Sequence, residues 1–380
     1  MNDFLVKELV SDDFLSELKS IDFDSSYAKQ VVDKYNYKNI KIFGLNAAQA
    51  NILKQTALSV GTDCATPRNT ITGNIVKADC ILGGSISQLK KIAVKLGVQP
   101  FGLRQLGRQI EKLISATLEK KHSVQIMGIL NLTNNSFSDG GMYNDYYKAV
   151  EHLNKLISDG ADSVDIGAES TKPYSEPVSE TEQLDKILPV LDYIRKNNID
   201  IPISIDTRSS EVAKQSLNAG ATAINDVSGL TYDENMTRII ADYGCPVIIQ
   251  HSQGTPDIMQ NSPYYDNLMD EIYTDLHDKI SKAVLGGIKK ENIIIDPGIG
   301  FGKTREHNFE ILRRIEELQG LDCPVLLGLS RKSLLNMPDA DNDTKDIYTI
   351  ALNTLAIERK VDILRVHNVK LHKTLINMLI

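Results

Sequence analysis

The sequence predicts an α/β fold, in which a (β/α)8 TIM barrel is preceded by a small α/β N-terminal domain. Apolar segments alternate with segments of helical periodicity from Val124 onward, and polar residues repeatedly stand where an apolar segment ends. The chain has 380 residues, which exceeds the about 250 residues of a barrel alone. These three observations together predict a barrel and a second, smaller domain.

Strict alternation of eight strands and eight helices indicates a closed barrel rather than an open doubly wound sheet. The predicted strands are 124–131, 162–167, 202–206, 222–226, 246–250, 292–296, 324–328 and 362–367. The predicted helices lie near 145–159, 180–197, 209–219, 233–243, 266–286, 305–318, 345–358 and 368–379. Long polar connections at 131–144, 169–179 and 336–345 are expected to be loops over the active face.

Residues 1–120 are predicted to form the N-terminal domain and residues 121–380 the barrel domain, because the charged stretch 119–122 separates two differently patterned regions. Apolar patterning in the first region predicts strands at 40–45 and 78–82, and helices near 46–60, 87–96 and 100–118. The region contains neither a paired acid–base set nor metal-ligand spacing, so the sequence assigns it no function.

Composition and charge narrow the class of protein. The chain is 42% hydrophobic with a net charge of −8, which argues against disorder and against binding of nucleic acid. The first residues lack a secretory signal and no apolar run could cross a bilayer, so a cytoplasmic protein without membrane contact is expected. Four cysteines without Cys-x-x-Cys spacing predict reduced, mostly buried thiols rather than zinc ligands or disulfides.

The most informative stretch runs from Ile293 to Thr304. Three isoleucines predict a strand buried on both faces, and Asp296-Pro297-Gly298 ends it before a glycine-rich loop. The loop lacks the spacing of a nucleoside triphosphate motif and does not open a dinucleotide-binding unit. A carboxylate is therefore expected at the carboxyl end of a buried strand, where barrels build their active sites.

Polar side chains at the ends of other strands are predicted to join Asp296 at one mouth. The set is Asn131, Asp206, Asn225, Asp296, Lys332, Arg365 and His367. Two carboxylates and an amide suit an uncharged, donor-rich heterocycle such as a 2-amino-4-oxo ring. Lys332, Arg365 and His367 suit an anion, which barrels often bind with the loops after strands 7 and 8. The alternative for Asn225 is that it only caps the following helix.

A series of motifs carries a family resemblance. In chain order the motifs are Gly128-Ile129-Leu130-Asn131-Leu132-Thr133, Ser136-Phe137-Ser138-Asp139-Gly140-Gly141, Asp165-Ile166-Gly167-Ala168-Glu169-Ser170-Thr171, Ile205-Asp206-Thr207, Ile224-Asn225-Asp226-Val227, Asp296-Pro297-Gly298-Ile299-Gly300-Phe301-Gly302-Lys303, Gly328-Leu329-Ser330-Arg331-Lys332-Ser333 and Arg365-Val366-His367. From Val124 to Ile380 the chain resembles the dihydropteroate synthase family. Residues 1–120 lie outside that resemblance.

The resemblance implies condensation of 6-hydroxymethyl-7,8-dihydropterin diphosphate with 4-aminobenzoate in folate synthesis, with release of pyrophosphate. It also implies a homodimer and a Mg²⁺ ion bound by Asn131. The implied pterin ligands are Asp206, Asn225, Asp296 and Lys332; Asp206, Asp296 and Lys332 are also the implied catalytic residues. Asn131, Arg365 and His367 would hold the diphosphate. Thr171, Lys172 and Ser333 would border the aminobenzoate.

The chain departs from the family's pattern in two loops. Asn134-Asn135 replaces a Pro-Asp pair, Lys172 replaces an arginine and Tyr174 replaces a glycine. In the family these loops form the acceptor's pocket, so weak binding of aminobenzoate and weak inhibition by sulfonamides are expected. The alternative acceptor is a modified aryl amine.

Two other classes of protein share part of the pattern. A corrinoid-linked methyltransferase has a pterin-binding barrel with a similar Asp, Asn and Asp set, and a non-catalytic module would bind a pterin without turnover. A methyltransferase needs no diphosphate-binding site, so the presence of residues 330–333 and 365–367 argues against that class. A binding module would not need Asn131 with a metal.

Overall fold

The computed structural model describes residues 4–11, 13–119, 123–132, 141–169, 178–253, 263–332 and 340–379. The chain divides into two compact units, Met1–Lys121 and His122–Ile380. Each unit has its own cluster of buried apolar side chains. None of the described helices is long and apolar enough to cross a membrane. The cytoplasmic location stays a prediction.

The N-terminal unit contains a three-stranded antiparallel sheet in the order β1-β3-β2. The strands are β1 (Tyr37–Leu45), β2 (Cys64–Ala65) and β3 (Ala78–Ser85). The helices are α1 (Phe14–Ser20), α2 (Ser25–Val31), α3 (Ala47–Leu58), α4 (Ile86–Leu96) and α5 (Leu103–Glu119). Every strand and helix that the sequence predicts in 40–118 is present. The short β2 was not predicted, because two residues are too few to show an alternating pattern.

Capping boxes explain where two of these helices begin. The side chain of Asn46 accepts a hydrogen bond from the backbone of Gln49, whose side chain bonds back to the backbone of Asn46, and Ser85 and Gln88 repeat the arrangement. Buried leucines, isoleucines and two cysteines then pack α3, α4 and α5 against the sheet. All four cysteines of the chain are free and buried, as the sequence predicts.

The second unit is a barrel of eight strands in the order β10-β11-β4-β5-β6-β7-β8-β9. The strands are β4 (Gln125–Asn131), β5 (Ser163–Gly167), β6 (Ile203–Asp206), β7 (Ala223–Asp226), β8 (Val247–Gln250), β9 (Ile293–Asp296), β10 (Leu326–Leu327) and β11 (Ile363–Val366). All neighbouring pairs are parallel. A parallel bridge between Ile295 and Val325 joins β9 to the segment that enters β10 and thus closes the barrel. The predicted fold class is confirmed.

In the described parts of this unit, eight α-helices alternate with these strands. They are α6 (Gly141–Ser158), α7 (Glu180–Lys196), α8 (Ser210–Asn218), α9 (Met236–Tyr243), α10 (Leu268–Leu285), α11 (Arg305–Arg314), α12 (Asn342–Glu358) and α13 (Val369–Leu379). Two predicted loops are shorter than expected, since α6 begins at Gly141 and α12 at Asn342. Asp341 starts α12 early, because its side chain accepts a hydrogen bond of 2.8 Å from the backbone of Thr344.

Alternation along the strands places an apolar layer below the mouth of the barrel. Met127, Ile248, Leu326 and Ile363 form a separate buried cluster with Ile294 packed against it. Side chains on one face of a strand recur every second residue. The same face therefore continues through Gln250, Asp296 and Arg365, which lie two residues further along β8, β9 and β11. This places the polar residues directly above an apolar floor.

Candidate active site

The carboxyl ends of the barrel strands bring together residues that are far apart in the sequence. In the strand register Asp206 lies beside Gly167 of β5 and Asn225 of β7, and Asp296 lies beside Gln250 of β8. Asn131 ends β4 and is partly buried. The structure thus places five of the predicted site residues, with Arg365 of β11 as the fifth, on strands that open at one mouth.

Arg365 bridges two carboxylates inside the mouth. Its Nε donates to Oδ2 of Asp165 over 2.6 Å, and its Nη2 donates to Oδ2 of Asp206 over 2.8 Å. Burial opposes the positive charge, but the carboxylates of Asp165 and Asp206 outweigh it and raise the pKa of Arg365. The guanidinium therefore stays charged and crosses the pocket from β11 toward β5 and β6.

Asp165 is the most important residue that sequence reasoning did not assign to the site. It is fully buried, and its Oδ2 also accepts a hydrogen bond of 2.9 Å from Nδ2 of Asn225. Neither Oδ1 of Asp165 nor Oδ1 of Asn225 has a partner among the described residues. A carboxylate in the middle of the apolar strand 163–167 was the available signal, because buried charges in strands are rare unless paired.

Asp206 combines burial with an ion pair. Burial raises the pKa of its carboxyl group to about 7, although Arg365 acts in the opposite direction and Asp165 adds to the increase. A carboxyl group that titrates near neutrality can accept N–H donors in its ionised form or hold a proton. The candidate site contains one such group at the end of β6.

Asp296 anchors the glycine-rich loop. Its Oδ1 accepts a hydrogen bond of 2.7 Å from the backbone of Gly298, and burial raises its pKa while Lys332 opposes the increase. Gly298 has φ +68, and a Cβ at this position would lie 1.9 Å from the carbonyl oxygen of His251. Only glycine fits here, so the loop can turn sharply beside the carboxylate.

Lys332 reaches the same loop from the end of β10. Its Nζ donates to the carbonyl oxygen of Ile299 over 2.6 Å and lies 4.5 Å from the centre of the Phe301 ring. Burial lowers the pKa of Lys332 to about 8, and Asp296 partly offsets this effect. The ammonium group is thus held near Asp296 and Asp206 and keeps its charge at neutral pH.

His367 is a hydrogen-bonding group rather than a cation. Its backbone N–H donates to Oγ of Ser330 over 3.2 Å, and its Nδ1 lies 3.0 Å from the same hydroxyl. Burial, with Arg331 and Arg365 nearby, lowers the pKa of His367 to about 3. A Ser330 hydroxyl that donates to Nδ1 fixes the neutral tautomer with its proton on Nε2. The sequence grouped His367 with the cations, whereas the structure gives it the role of a neutral N–H donor.

A buried lysine lies behind the glycine-rich loop. Nζ of Lys303 lies 2.9 Å from Nδ1 of His251 and donates to the carbonyl oxygen of Phe301 over 2.9 Å. Burial lowers the pKa of Lys303 to about 7 and that of His251 well below its ordinary value. Lys303 thus ties the loop that carries Ile299 and Phe301, the two contacts of Lys332, to the end of β8.

Three of the predicted site residues lie outside the part of the chain that the structure describes. Thr171 and Lys172 lie in 170–177 and Ser333 lies in 333–339, outside the described residues. Within the described ranges, no group of three His, Cys, Asp or Glu side chains is arranged to hold a metal ion. The roles predicted for Thr171, Lys172 and Ser333, and the role of Asn131 as a metal ligand, stay predictions.

Comparison with known proteins gives a consistent result for the barrel. A family model described as "Pterin binding enzyme" matches residues 127–367. The dihydropteroate synthase of Clostridium beijerinckii is 42% identical over 248 residues, which cover 64% of this chain and 88% of that protein. A solved structure titled as the dihydropteroate synthase of Xanthomonas albilineans with 4-aminobenzoic acid has 34% identity and a TM-score of 0.63, covering 67% of this chain and 92% of its own.

One relative also matches part of the N-terminal unit. A protein of Halobacterium salinarum, named a probable bifunctional folylpolyglutamate synthase/dihydropteroate synthase, is 38% identical over 330 residues, or 84% of this chain. The second unit, His122–Ile380, is shorter than the part of the chain that this relative matches. The match therefore extends into the first unit. The chain spans only 40% of that relative's length.

Proposed function

The chain belongs to the pterin-binding enzyme family, and from this membership we propose that it is a dihydropteroate synthase. The proposed reaction joins 6-hydroxymethyl-7,8-dihydropterin diphosphate to 4-aminobenzoate, giving 7,8-dihydropteroate and pyrophosphate for folate biosynthesis. The observation that carries this proposal is a polar layer at the mouth of the barrel, in which the acceptors Asp165, Asp206, Asn225 and Asp296 lie with the donors Lys332, Arg365 and His367.

The acceptor side suits the pterin ring. Asp165 and Asn225 each present one buried oxygen without a partner among the described residues, and leaving such atoms unpaired is costly. The amino group and ring N–H groups of a dihydropterin supply donors for them and for the carboxylates of Asp206 and Asp296. Arg365 would lie against the bound ring, since Asp165 and Asp206 hold its guanidinium within the same pocket.

The end of β11 suits the diphosphate. Arg365 supplies a positive charge there, and the neutral His367 supplies an Nε2–H donor whose direction is set by Ser330. Phosphate groups are commonly bound beside the last two strands of this fold. Lys332, which lies beside Asp296, is proposed to bind the pterin.

Mg²⁺ is proposed as a companion of the diphosphate. The described residues contain no group of three His, Cys, Asp or Glu side chains for a resident metal, but Mg²⁺ often binds through one or two protein oxygens, several waters and substrate phosphates. The amide oxygen of Asn131 at the end of β4 fits that requirement. When bound, the ion would neutralise charge on the leaving diphosphate.

The protein's own groups can then support substitution at the methylene carbon. The bond between this carbon and the diphosphate oxygen breaks, its electron pair leaves with the diphosphate, and the amine nitrogen forms the new bond. Asp206 and Asp296 stabilise positive charge that develops on the pterin, while Arg365 and His367 stabilise negative charge on the leaving group. The site then needs to position the aryl amine rather than activate it. After the new bond forms, the amine nitrogen loses a proton to solvent.

The acceptor is the less constrained part of the proposal. Thr171, Lys172 and Ser333 are proposed to border 4-aminobenzoate, and a relative's structure contains this compound by its title. A different aryl amine is the alternative acceptor. A pterin-binding methyltransferase is a second alternative, but the arrangement of Arg365, Ser330 and His367 is better suited to a diphosphate than to a methyl donor.

The decisive test is a coupled assay for pyrophosphate with pterin diphosphate, 4-aminobenzoate and Mg²⁺. We expect stoichiometric formation of pyrophosphate and dihydropteroate, with kcat/KM reduced about tenfold or more in Asp296→Asn, the loss typical of a charged hydrogen bond. Asp362→Asn is a matched control, because Asp362 lies at the opposite end of the barrel and bonds the backbone of Val325. Pterin binding without pyrophosphate release would remove the synthase assignment in favour of a binding module.

We also propose that the protein is a homodimer. Helices α12 and α13 are adjacent and expose Ile347, Leu355 and Met378, which are 64%, 53% and 74% accessible. Such apolar faces commonly lie in protein interfaces. Light scattering after gel filtration should give a dimer mass, and the double variant Ile347→Asp, Leu355→Asp should give a monomer. Leu285→Asp, at the exposed end of α10, should remain dimeric.

A further inference from the structure

Asp346 joins the two loops that follow the last strands of the barrel. Its side chain projects from α12, is buried, and accepts three hydrogen bonds. Nε and Nη2 of Arg331 donate over 2.7 Å each, and Nδ2 of Asn368 donates over 2.9 Å. Arg331 belongs to the loop after β10 and Asn368 to the segment after β11, so one carboxylate connects both.

The backbone at Arg331 depends on this contact. Arg331 has φ +57, in the left-handed region that residues with a Cβ adopt only at a cost. Its backbone N–H donates to Oγ1 of Thr349 on α12 over 3.3 Å, while its guanidinium forms the two-bond fork with Asp346. Three hydrogen bonds to the same helix therefore hold a turn whose neighbouring residues, Ser330 and Lys332, face the site.

Asn368 transmits the contact to His367. Its Oδ1 accepts a hydrogen bond of 3.1 Å from the backbone of Leu371 at the start of α13, while its Nδ2 is used by Asp346. Both ends of the Asn368 side-chain amide are thus held by hydrogen bonds. Because His367 is the preceding residue, its backbone is held in place as well. His367 in turn shares two contacts with Ser330. The network closes a ring through Arg331, Asp346, Asn368, His367 and Ser330.

We propose that Asp346 is a positioning residue that holds Ser330 and His367 in a single arrangement for binding the diphosphate. The proposal rests on the proposed function, since it assigns His367 to that anionic group. Asp346 itself does not reach that group, because Arg331 and Asn368 occupy its oxygens. It acts on the diphosphate end, whereas Asp165, Asn225 and Asp296 at the pterin end have no bond to it.

A second carboxylate, that of Asp362, serves as a control that separates a loss of stability from a loss of anion binding. Asp362 precedes β11, and its Oδ2 accepts a hydrogen bond of 2.8 Å from the backbone of Val325 beside β10. It ties the same two strand regions as Asp346, but at the opposite end of the barrel. Loss of either carboxylate should lower stability, whereas only loss of Asp346 should disturb the anion-binding groups.

The test measures binding of inorganic pyrophosphate with Mg²⁺, and of free 6-hydroxymethyl-7,8-dihydropterin, to the full chain by calorimetry. Asp346→Asn places an amide opposite the donors of Arg331 and Asn368. We expect the pyrophosphate Kd and the KM for pterin diphosphate to rise about tenfold or more, as for a lost charged hydrogen bond. The Kd of the free pterin should change less than about threefold, and kcat should fall less than kcat/KM.

Three further variants define the outcome. Asp362→Asn should leave both dissociation constants unchanged, and Asp346→Glu should recover part of the pyrophosphate affinity by restoring a carboxylate. Arg331→Ala combined with Asp346→Ala should lose no more affinity than the worse single variant, because the pair acts as a unit. Equal losses for pyrophosphate and free pterin, or equal effects of Asp346→Asn and Asp362→Asn, would overturn the positioning role. Wild-type protein that binds pyrophosphate but never releases it from substrate would refute the proposed function alone.

Discussion

Nη2 of Arg365 lies 2.8 Å from Oδ2 of Asp206, although the two residues are 159 positions apart in the chain. The family resemblance assigns Asp206 to the pterin and Arg365 to the diphosphate. Their ion pair means that removing Arg365 would raise the pKa of Asp206, while removing Asp206 would leave the charged guanidinium with Asp165 as its remaining partner. The two halves of the candidate site are therefore electrostatically coupled, and this coupling determines what substitutions should do.

Replacing Arg365 by alanine should affect both halves. The change leaves Asp165 and Asp206 as neighbouring buried carboxylates without a counterion, so the pKa of Asp206 should rise further and the group should be protonated at pH 7. We expect weaker binding of free pterin as well as of its diphosphate, and a loss of about 3 kcal/mol in the free energy of unfolding. Calorimetry and urea unfolding measure these effects. Unchanged affinity for free pterin would show that the pair is unimportant to the ring pocket.

The pH dependence of kcat/KM should show two limbs. Asp206 has a pKa of about 7, so it gains a proton and loses its acceptor capacity as the pH falls through 7. Lys332 has a pKa of about 8, so it loses its charge, and the pterin loses a charged hydrogen-bond donor, as the pH rises through 8. Activity should therefore peak between these values. Asp206→Asn should abolish the acid limb, and a wild-type acid limb near pH 4 would contradict the assignment.

The glycine-rich loop offers a matched pair of substitutions. Gly298 and Gly300 both have positive φ, but a Cβ at Gly298 would collide with the carbonyl oxygen of His251, while at Gly300 its nearest neighbour is Cδ of Lys332 at 3.4 Å. Gly300→Ala should cost about 1 kcal/mol from backbone strain alone. Gly298→Ala should cost clearly more and also weaken pterin binding, because Asp296 bonds that backbone. Urea unfolding compares them, and equal losses would exclude the close approach as the reason for Gly298.

The N-terminal unit should be dispensable for the chemistry. Every residue of the candidate site lies after Val124, and the two units have separate buried cores. A truncated variant that begins at Ser123 should remain folded and release pyrophosphate with a kcat similar to that of the full chain. Circular dichroism establishes folding, and the pyrophosphate assay establishes activity. A folded but inactive truncation would assign a catalytic role to the first unit.

The acceptor should respond to the two altered loops. Asn134→Pro, Asn135→Asp and Lys172→Arg together restore the residues typical of the family, and an arginine fork binds a carboxylate in a way that a lysine cannot. The triple variant should lower the KM for 4-aminobenzoate and strengthen sulfonamide inhibition while the pterin Kd stays constant. Steady-state kinetics with both ligands measures this. Unchanged acceptor kinetics would show that these loop residues are neutral.

Much of the barrel follows from the sequence because its signals are local. A run such as Ile293-Ile294-Ile295 can be buried on both faces only in a central strand, and Asp296-Pro297-Gly298 can only end it. The strand ends therefore located Asp206, Asn225, Asp296 and Arg365 at one mouth before any contact was known. Asp165 stands in one of the family motifs, but the sequence alone assigns it no role, because it lies inside its strand, where the local pattern shows only an interrupted apolar run.

The tertiary structure decided the partners and the charge states. Arg365 bonds Asp165 across 200 positions of sequence, and Asp346 gathers Arg331 and Asn368 from two loops. No local pattern encodes such contacts, since they depend on how the barrel closes. The burial that follows closure also lowers the pKa of His367 to about 3 and raises that of Asp206 to about 7. The sequence by itself determined which strand ends carry polar residues toward the mouth. The folded environment determined their partners and charge states, because desolvation and long-range pairing exist only after folding.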